Sequence, residues 1–296
     1  RRNQLLEFYM AYANEFESIK SRIDAMAGYS WQLFYGANHD IYRSNGTTQE
    51  MGISSVPGYD LQEDGYFKKQ GSYRTPWENY LVSFYGRVNY TFMDRYLLTA
   101  TLRRDGSSRF SKDNRWGLFP SAAFAWTIKN EKFLENVDVL SNLKLRIGYG
   151  VTGQQEIKDN YGYIPSYFIS SNPNSMYLGQ YLLKPGGYNP NLKWEETTTY
   201  NAAIDYGFLN GRINGSVEFY LKKTKDLLNT VSSPAGTNFT NLITGNVGEM
   251  ENKGVEVSIN TVPIEGKDWR WELNYNITWN TSEITKLTAA YNPEYP

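Results

Sequence analysis

The chain has 296 residues, and 30 Lys+Arg against 31 Asp+Glu leave a net charge of −1, without the basic excess of a nucleic-acid-binding surface. It contains no cysteine and a single histidine, His39, which excludes disulfide scaffolds, iron–sulfur clusters, thiolate zinc sites and multi-histidine metal centres. No run of about 18 apolar residues occurs, so no transmembrane helix is expected, but a barrel that crosses a membrane with alternating strands stays open. Aromatic residues make up 16% of the chain, 25 of them Tyr, which suits a protein of long strands with aromatic ends.

In chain order, Leu6, Phe8, Met10 and Tyr12 form a first apolar face, and Asn14 to Ser18 interrupts it. Ile23, Ala25, Ala27, Tyr29, Trp31 and Leu33 then alternate with Asp24, Met26, Gly28, Ser30 and Gln32, the period of two that marks a strand. From Gly36 to Trp77 no periodicity survives, and a long loop is expected. Tyr80, Val82, Phe84, Gly86, Val88, Tyr90 and Phe92 make the next apolar parity. After a tight turn at Met93-Asp94-Arg95 the pattern resumes at Tyr96, Leu98, Ala100 and Leu102. A polar loop, Arg103 to Arg115, leads to a strand carrying Trp116, Leu118, Pro120, Ala122, Phe124, Trp126 and Ile128.

Asn130 to Asn136 reads as a short helical turn, and Leu143, Leu145, Ile147, Tyr149 and Val151 as the following strand. A second long loop, Gly153 to Leu192, precedes a strand from Trp194 to Phe208. Asn210-Gly211 signals a hairpin to Ile213, Val217, Phe219 and Leu221. A loop from Thr230 to Asn252, a strand through Val255, Val257 and Ile259, a turn at Glu265-Gly266-Lys267 and a strand from Trp269 to Trp279 complete the series.

About ten strands in five hairpins result, with short turns at one end and long loops at the other. The expected fold is all-β: an antiparallel up-and-down transmembrane β-barrel segment, about ten strands of a larger barrel. Strands of roughly the 9 to 11 residues a bilayer needs, aromatic residues at strand ends and the asymmetry of the loops favour it over a sandwich. The apolar parity would face lipid. The polar parity, with Arg87, Arg103, Arg146, Asn201 and Glu218, would line a wet lumen. Because the chain begins inside a strand pattern and stops in a loop, the expectation is an internal fragment whose two sheet edges need further strands.

Other motifs carry less. Gly148-Tyr149-Gly150-Val151-Thr152-Gly153 matches G-x-G-x-x-G literally, but no helix follows it, so a Gly-rich strand end is expected. The pairs Glu195-Glu196 and Glu249/Glu251 lack any indication of a glycosidase's carboxylate spacing and read as structural charge. His39 reads as a loop histidine, and N-x-[ST] matches as chance in an Asn/Thr-rich chain. No catalytic residue, metal site or cofactor is expected. The long-loop aromatics Tyr59, Tyr66, Phe67, Trp77, Tyr177, Tyr181 and Tyr188 either stack on a captured ligand or pack the loops together.

Three motifs in succession carry a resemblance: Arg103-Arg104-Asp105-Gly106-Ser107-Ser108-Arg109-Phe110, then Arg115-Trp116-Gly117-Leu118-Phe119-Pro120-Ser121, then Asn142 to Gly150 with Thr152-Gly153-Gln154. With Asn189 to Glu195 and Glu251 to Glu256, they resemble signatures of the SusC/RagA family of TonB-linked outer-membrane transporters, in family order. The resemblance implies a 22-stranded plugged barrel in the outer membrane of Bacteroidetes-type bacteria. It also implies import of oligosaccharides or peptides, a SusD-like lipoprotein lid and power from the TonB complex. On this reading residues 1–296 are part of one barrel domain, with the plug and the remaining strands outside them, and transport by this segment alone is not expected. The alternative is a soluble all-β carbohydrate-binding or adhesin module, distinguished by remaining monodisperse without detergent.

Overall fold

The computed structural model describes residues 2–39, 41–42, 59–61, 67–69, 74–157, 160–169, 176–177, 180–181, 183–233, 236 and 239–287. Ten long strands form one antiparallel sheet in which each strand pairs with its neighbours in sequence: β1 (Arg2–Phe16), β2 (Ser21–His39), β3 (Arg74–Phe92), β4 (Tyr96–Ser107), β5 (Trp116–Thr127), β6 (Leu140–Gln154), β7 (Glu195–Phe208), β8 (Ile213–Lys225), β9 (Glu249–Glu265) and β10 (Arg270–Lys286). This is the up-and-down order expected from the sequence, and within these residues the sheet does not close on itself.

The strands run 12 to 19 residues, longer than the apolar alternation implies. Gly36 pairs with Trp77 and His39 with Arg74, so what reads as loop at both ends of Gly36 to Trp77 continues the β2–β3 ladder. Likewise Arg103 to Ser107 extends β4, Gly153 and Gln154 extend β6, and Glu249 to Asn252 open β9. The reason is physical. Backbone pairing needs no apolar side chains, and alternation stops where the outward face stops meeting an apolar medium.

At the short-turn end, Met93 and Asp94 (both φ 52) place two residues in the left-handed region, and the Arg95 N–H donates to the Phe92 carbonyl at 3.1 Å. This is the twist that two-residue hairpins favour. The hairpin expected at Asn210-Gly211 is found there, as the middle of a four-residue turn. Leu209 and Asn210 (both φ 54) turn the chain, and Phe208 pairs with Ile213. A Leu with positive φ is rare, and the backbone bond from the Gly211 N–H to the Phe208 carbonyl, at 3.1 Å, holds it there. Between β5 and β6 the expected helical turn is two 3-10 turns, Ile128–Asn130 and Lys132–Leu134.

That connection is pinned to the strands by one carboxylate. Glu131 accepts hydrogen bonds from the Tyr96 hydroxyl at 2.7 Å and the Trp126 indole N–H at 3.0 Å, and lies 3.2 Å from Arg95. The two ring donors, chiefly Tyr96, and then Arg95 hold the Glu131 carboxyl below the ordinary carboxylate range despite its partial desolvation. A depressed native value stabilises the fold above the ordinary value, and that contribution is lost as pH falls through the native one. Fluorescence of the full-length protein should therefore show an acid transition, from the Trp126 environment, at a pH below the ordinary glutamate range. The transition should be missing in Glu131→Gln.

The long-loop end carries small hairpins of its own. Leu228–Ser232 pairs with Leu242–Asn246, Tyr167–Ile169 with Leu183–Pro185, and Met176–Tyr177 with Gln180–Tyr181; Phe67–Lys69 joins Ile41–Tyr42 and Tyr59–Leu61 in a three-stranded piece.

Candidate functional site: the two faces of the wall and its rim

One face of the sheet is apolar and exposed. Phe84, Val88, Leu98, Leu102, Ile147, Tyr200, Ile204, Val217 and Phe219 all lie on it, each more than a third accessible. Aromatic rings gather at its two borders. Toward the short turns, Phe92, Tyr96 and Trp126 form a chain of rings with 6.2 Å between successive centroids. Toward the long loops, Tyr29 lies 5.2 Å from Phe84, which lies 6.2 Å from Trp116, and Tyr149 lies 5.3 Å from Tyr200. On β10, Trp271 and Trp279 are roughly 26 Å apart along the strand at about 3.3 Å per residue. Apolar area between two aromatic girdles is the outer surface of a membrane barrel.

Beyond the upper girdle the same parity turns charged. On β8, Val217, Phe219 and Leu221 give way to Lys223 and Lys225, which pair with Glu251 at 3.6 Å and Glu196 at 2.9 Å. These are the carboxylates a glycosidase reading would have needed as pairs. Instead Glu195 accepts the Leu228 N–H at 2.8 Å and Glu249 lies 3.3 Å from Lys286. Each carboxylate is occupied in holding strands and loops.

The opposite face is polar, and the five residues expected to line a lumen share it. Arg146 on β6 makes a bidentate pair with Asp205 on β7, both bonds 2.9 Å, and lies 3.6 Å from Glu218 on β8. Asn201 contacts the same Glu218 and lies over Gly148, where a Cβ would overlap its side chain. Arg103 grips Asp105 at 2.8 Å and the Ser83 hydroxyl at 2.8 Å, with its guanidinium 5.6 Å from the Tyr85 ring centre. Arg87 donates to Asn89 at 3.3 Å. The result is a ladder of side-chain bonds running across strands on the polar face.

Glu218 sits directly opposite Glu256 in the β8–β9 register, a like-charge juxtaposition that Arg146 offsets. Arg146→Gln should cost about 1 kcal/mol after discounting for its exposure, and more at low than at high ionic strength. Thermal unfolding at two salt concentrations checks this.

The family-motif residues build the rim. The β5–β6 ladder runs only from Ser121/Gly150 to Thr127/Lys144, so above it the two strands part. A buried cluster of Phe110, Phe119, Ile157, Leu192 and Trp194, with Leu81, Val151, Tyr163 and Leu228 packed against it, stands at this split. Trp194 is its centre: its ring lies 5.4 Å from Phe110 and 5.3 Å from Phe119, and its N–H donates to the Arg115 carbonyl at 2.9 Å. Phe119 fits because Gly117 and Gly153 carry no side chain; a Cβ at either would overlap its ring. Periodicity does not predict this cluster, since its five buried members come from four separate stretches and share no period.

The other motif positions close the loop above β4. The Ser108 hydroxyl accepts the Tyr80 N–H at 2.8 Å and the Ser107 hydroxyl accepts the Arg109 N–H at 3.2 Å. Gly106 gives room to the Trp116 ring, 2.9 Å from where its Cβ would stand. Arg104 lies over that ring at 5.1 Å, and Pro120 stands opposite Leu102. Arg109 donates to the Gln155 carbonyl at 3.2 Å, and burial lowers its guanidinium from the ordinary arginine value.

The aromatic candidates do not all lie in loops. Trp77 belongs to β3 and its ring covers Gly36, because the strand continues past the point where alternation ends. Tyr59, Phe67, Tyr177 and Tyr181 lie in the small strands at the long-loop end, Tyr188 in the partly buried stretch before β7, and Tyr66 outside the described residues. The side chain of His39 is likewise outside them.

Residues 4–296 match the family described as TonB dependent receptor-like, beta-barrel. The TonB-dependent receptor SusC of Bacteroides thetaiotaomicron is 47% identical over 276 residues, which is 92% of this chain and 27% of that receptor. The TonB-dependent receptor P39 of Formosa agariphila is 34% identical over 289 residues, 95% of this chain and 26% of that receptor. A structure of the RagAB peptide transporter superposes with a TM-score of 0.80 at 26% identity, covering 98% of this chain and 31% of that one. The chain thus spans about a quarter of the length of the curated relatives it matches. With its ten-stranded meander, its two-faced wall and its motif-built rim, the chain belongs to the TonB-dependent receptor-like β-barrel family, as a segment of the SusC/RagA type, among receptors and not enzymes.

Proposed function

We propose that residues 1–296 are part of one barrel domain in the wall of an outer-membrane importer that takes up oligosaccharides or peptides, driven by the TonB complex and closed at its mouth by a SusD-like surface lipoprotein. The observation that carries this reading is the division of one sheet into an apolar face between aromatic girdles and a polar face crossed by Arg146, Asp205, Glu218 and Arg103. Such a wall separates lipid from a wet passage. Relatives named as TonB-dependent receptors and a structural neighbour named as a peptide importer support the direction of transport and its energy source.

In this reading substrate is held by many weak contacts, with Arg87, Arg103, Arg146, Asn201 and Glu218 lining the passage and the aromatic residues Tyr59, Tyr66, Phe67, Trp77, Tyr177, Tyr181 and Tyr188 as the candidate substrate contacts. The test is uptake by cells that carry or lack the full-length gene, supplied in parallel with fluorescent oligosaccharides and oligopeptides. Loss of one uptake on deletion of the gene, and again on disruption of TonB, names the substrate class. Unchanged uptake of both would sink the reading.

A further inference from the structure

The outward face is not uniformly packed. A shallow groove of about 760 Å³ crosses β1 to β4, with Ala25, Ala27, Gly86 and Ala100 as its floor and Tyr12 and Leu102 among its walls. Gly86 is the informative position. Rings or side chains cover Gly28, Gly36, Gly106 and Gly148, whereas a Cβ at Gly86 would meet nothing nearer than the Met26 carbonyl at 3.8 Å. This depression opens on the apolar side of the wall, where its occupant must itself be apolar.

The groove has a charged rim. Arg104 follows Leu102 by two positions on the same face of β4, roughly 7 Å further toward the long-loop end. Its guanidinium lies over Trp116 in the upper aromatic girdle, at 5.1 Å from the ring centre. The outward-facing Lys223, Lys225 and Lys253 have carboxylate partners. Among the described residues no carboxylate pairs with Arg104, which is exposed on the outward face. A guanidinium that contacts an indole through its cation still has N–H donors to offer two oxygens of one phosphate.

We propose that this groove seats an acyl chain of a phosphorylated outer-leaflet glycolipid, lipid A in class, and that Arg104 binds that lipid's phosphate at the rim. This rests on the outer-membrane reading above. An apolar chain fits the floor, and the spacing from groove to guanidinium suits one molecule with a tail and an anionic head. A neighbouring barrel could also cover small residues, but it would leave the Arg104 charge without an anion.

The test uses the full-length protein, purified in detergent and shown by heat-modifiable migration to be a folded barrel, which checks the barrel reading independently. Native mass spectrometry would follow retention of added monophosphoryl lipid A against the same lipid after dephosphorylation. The wild type should retain the phosphorylated lipid preferentially. Arg104→Gln should remove that preference, weakening retention about tenfold. Gly86→Leu, which fills the floor, should lower retention of both forms. Equal retention of both lipids by the wild type, or retention unchanged in both variants, would overturn the proposal. So would loss of a two-copy species in Gly86→Leu with lipid retention intact, which would assign the groove to a second barrel.

Discussion

Trp194→Ala should be the most damaging single substitution at the rim. The Trp194 side chain is 6% exposed, packs two aromatic rings at once and donates the hydrogen bond that ties β7 to the Arg115 carbonyl. Truncating a buried Trp costs about 3 to 5 kcal/mol through lost transfer energy and the cavity left behind, and here an unpaired carbonyl adds to it. The β5–β6 ladder cannot compensate, because it ends below the cluster. The expected result is a barrel that still inserts, since its apolar belt is intact, but converts to the unfolded gel form at a markedly lower temperature. Limited proteolysis of the full-length protein in cells should show new cleavage between residues 103 and 115. An unchanged conversion temperature would mean that the cluster is not what holds the split strands.

Gly215→Ala should disrupt a different seam. Tyr206 on β7 sends its hydroxyl across Gly215 on β8 to donate to the Ser258 carbonyl on β9 at 3.1 Å, so one side chain fastens three strands. A Cβ at position 215 would overlap that carbonyl and stand 2.6 Å from the Tyr206 hydroxyl oxygen. A backbone oxygen cannot swing aside as a flexible side chain can, so the strands must separate or Tyr206 must leave. Overpacking of this kind costs about 1 to 3 kcal/mol, and loss of the hydroxyl's bond adds about 1. Tyr206→Phe, which removes only the hydroxyl, should cost about 1 kcal/mol, and the double variant should cost no more than Gly215→Ala alone. Chemical unfolding of the four proteins in detergent forms the cycle. Additive losses would show that the crossing hydroxyl and the glycine are independent.

Much of this architecture was legible in the residues because a wall between two media writes its period onto both faces. Phe84, Val88 and Leu98 had to point one way and Arg87, Asn89 and Thr99 the other, so the strands, their order and their faces followed from alternation. What was not legible had no period. Trp77 looked like a loop residue because the apolar rhythm fails around it, although backbone pairing with Gly36 continues. Leu209 gave no sign of a positive φ, although the four-residue turn that it opens is centred on the Asn210-Gly211 pair that marked it. The Phe110, Phe119 and Trp194 cluster was visible only as family signature. Its packing depends on Gly117 and Gly153, whose role is to be empty, and sequence does not say which ring occupies an empty place.

The charged continuation of β8 and β9 has a consequence for how the protein meets its surroundings. A strand such as β9, from Glu249 to Glu265, is roughly 55 Å long at about 3.3 Å per residue, more than the thickness of a hydrocarbon layer even when tilted. On the outer-membrane reading proposed above, its upper part, braced by the Lys223–Glu251 and Lys225–Glu196 pairs, would stand above the bilayer as a collar. The long loops are thereby lifted clear of the lipid surface on a stalk of regular β-sheet. A cysteine placed at Lys223 should react with a membrane-impermeant thiol reagent on living cells, while one at Leu273, ten residues below the level of Lys223 in the apolar belt, should be shielded until the membrane is dissolved.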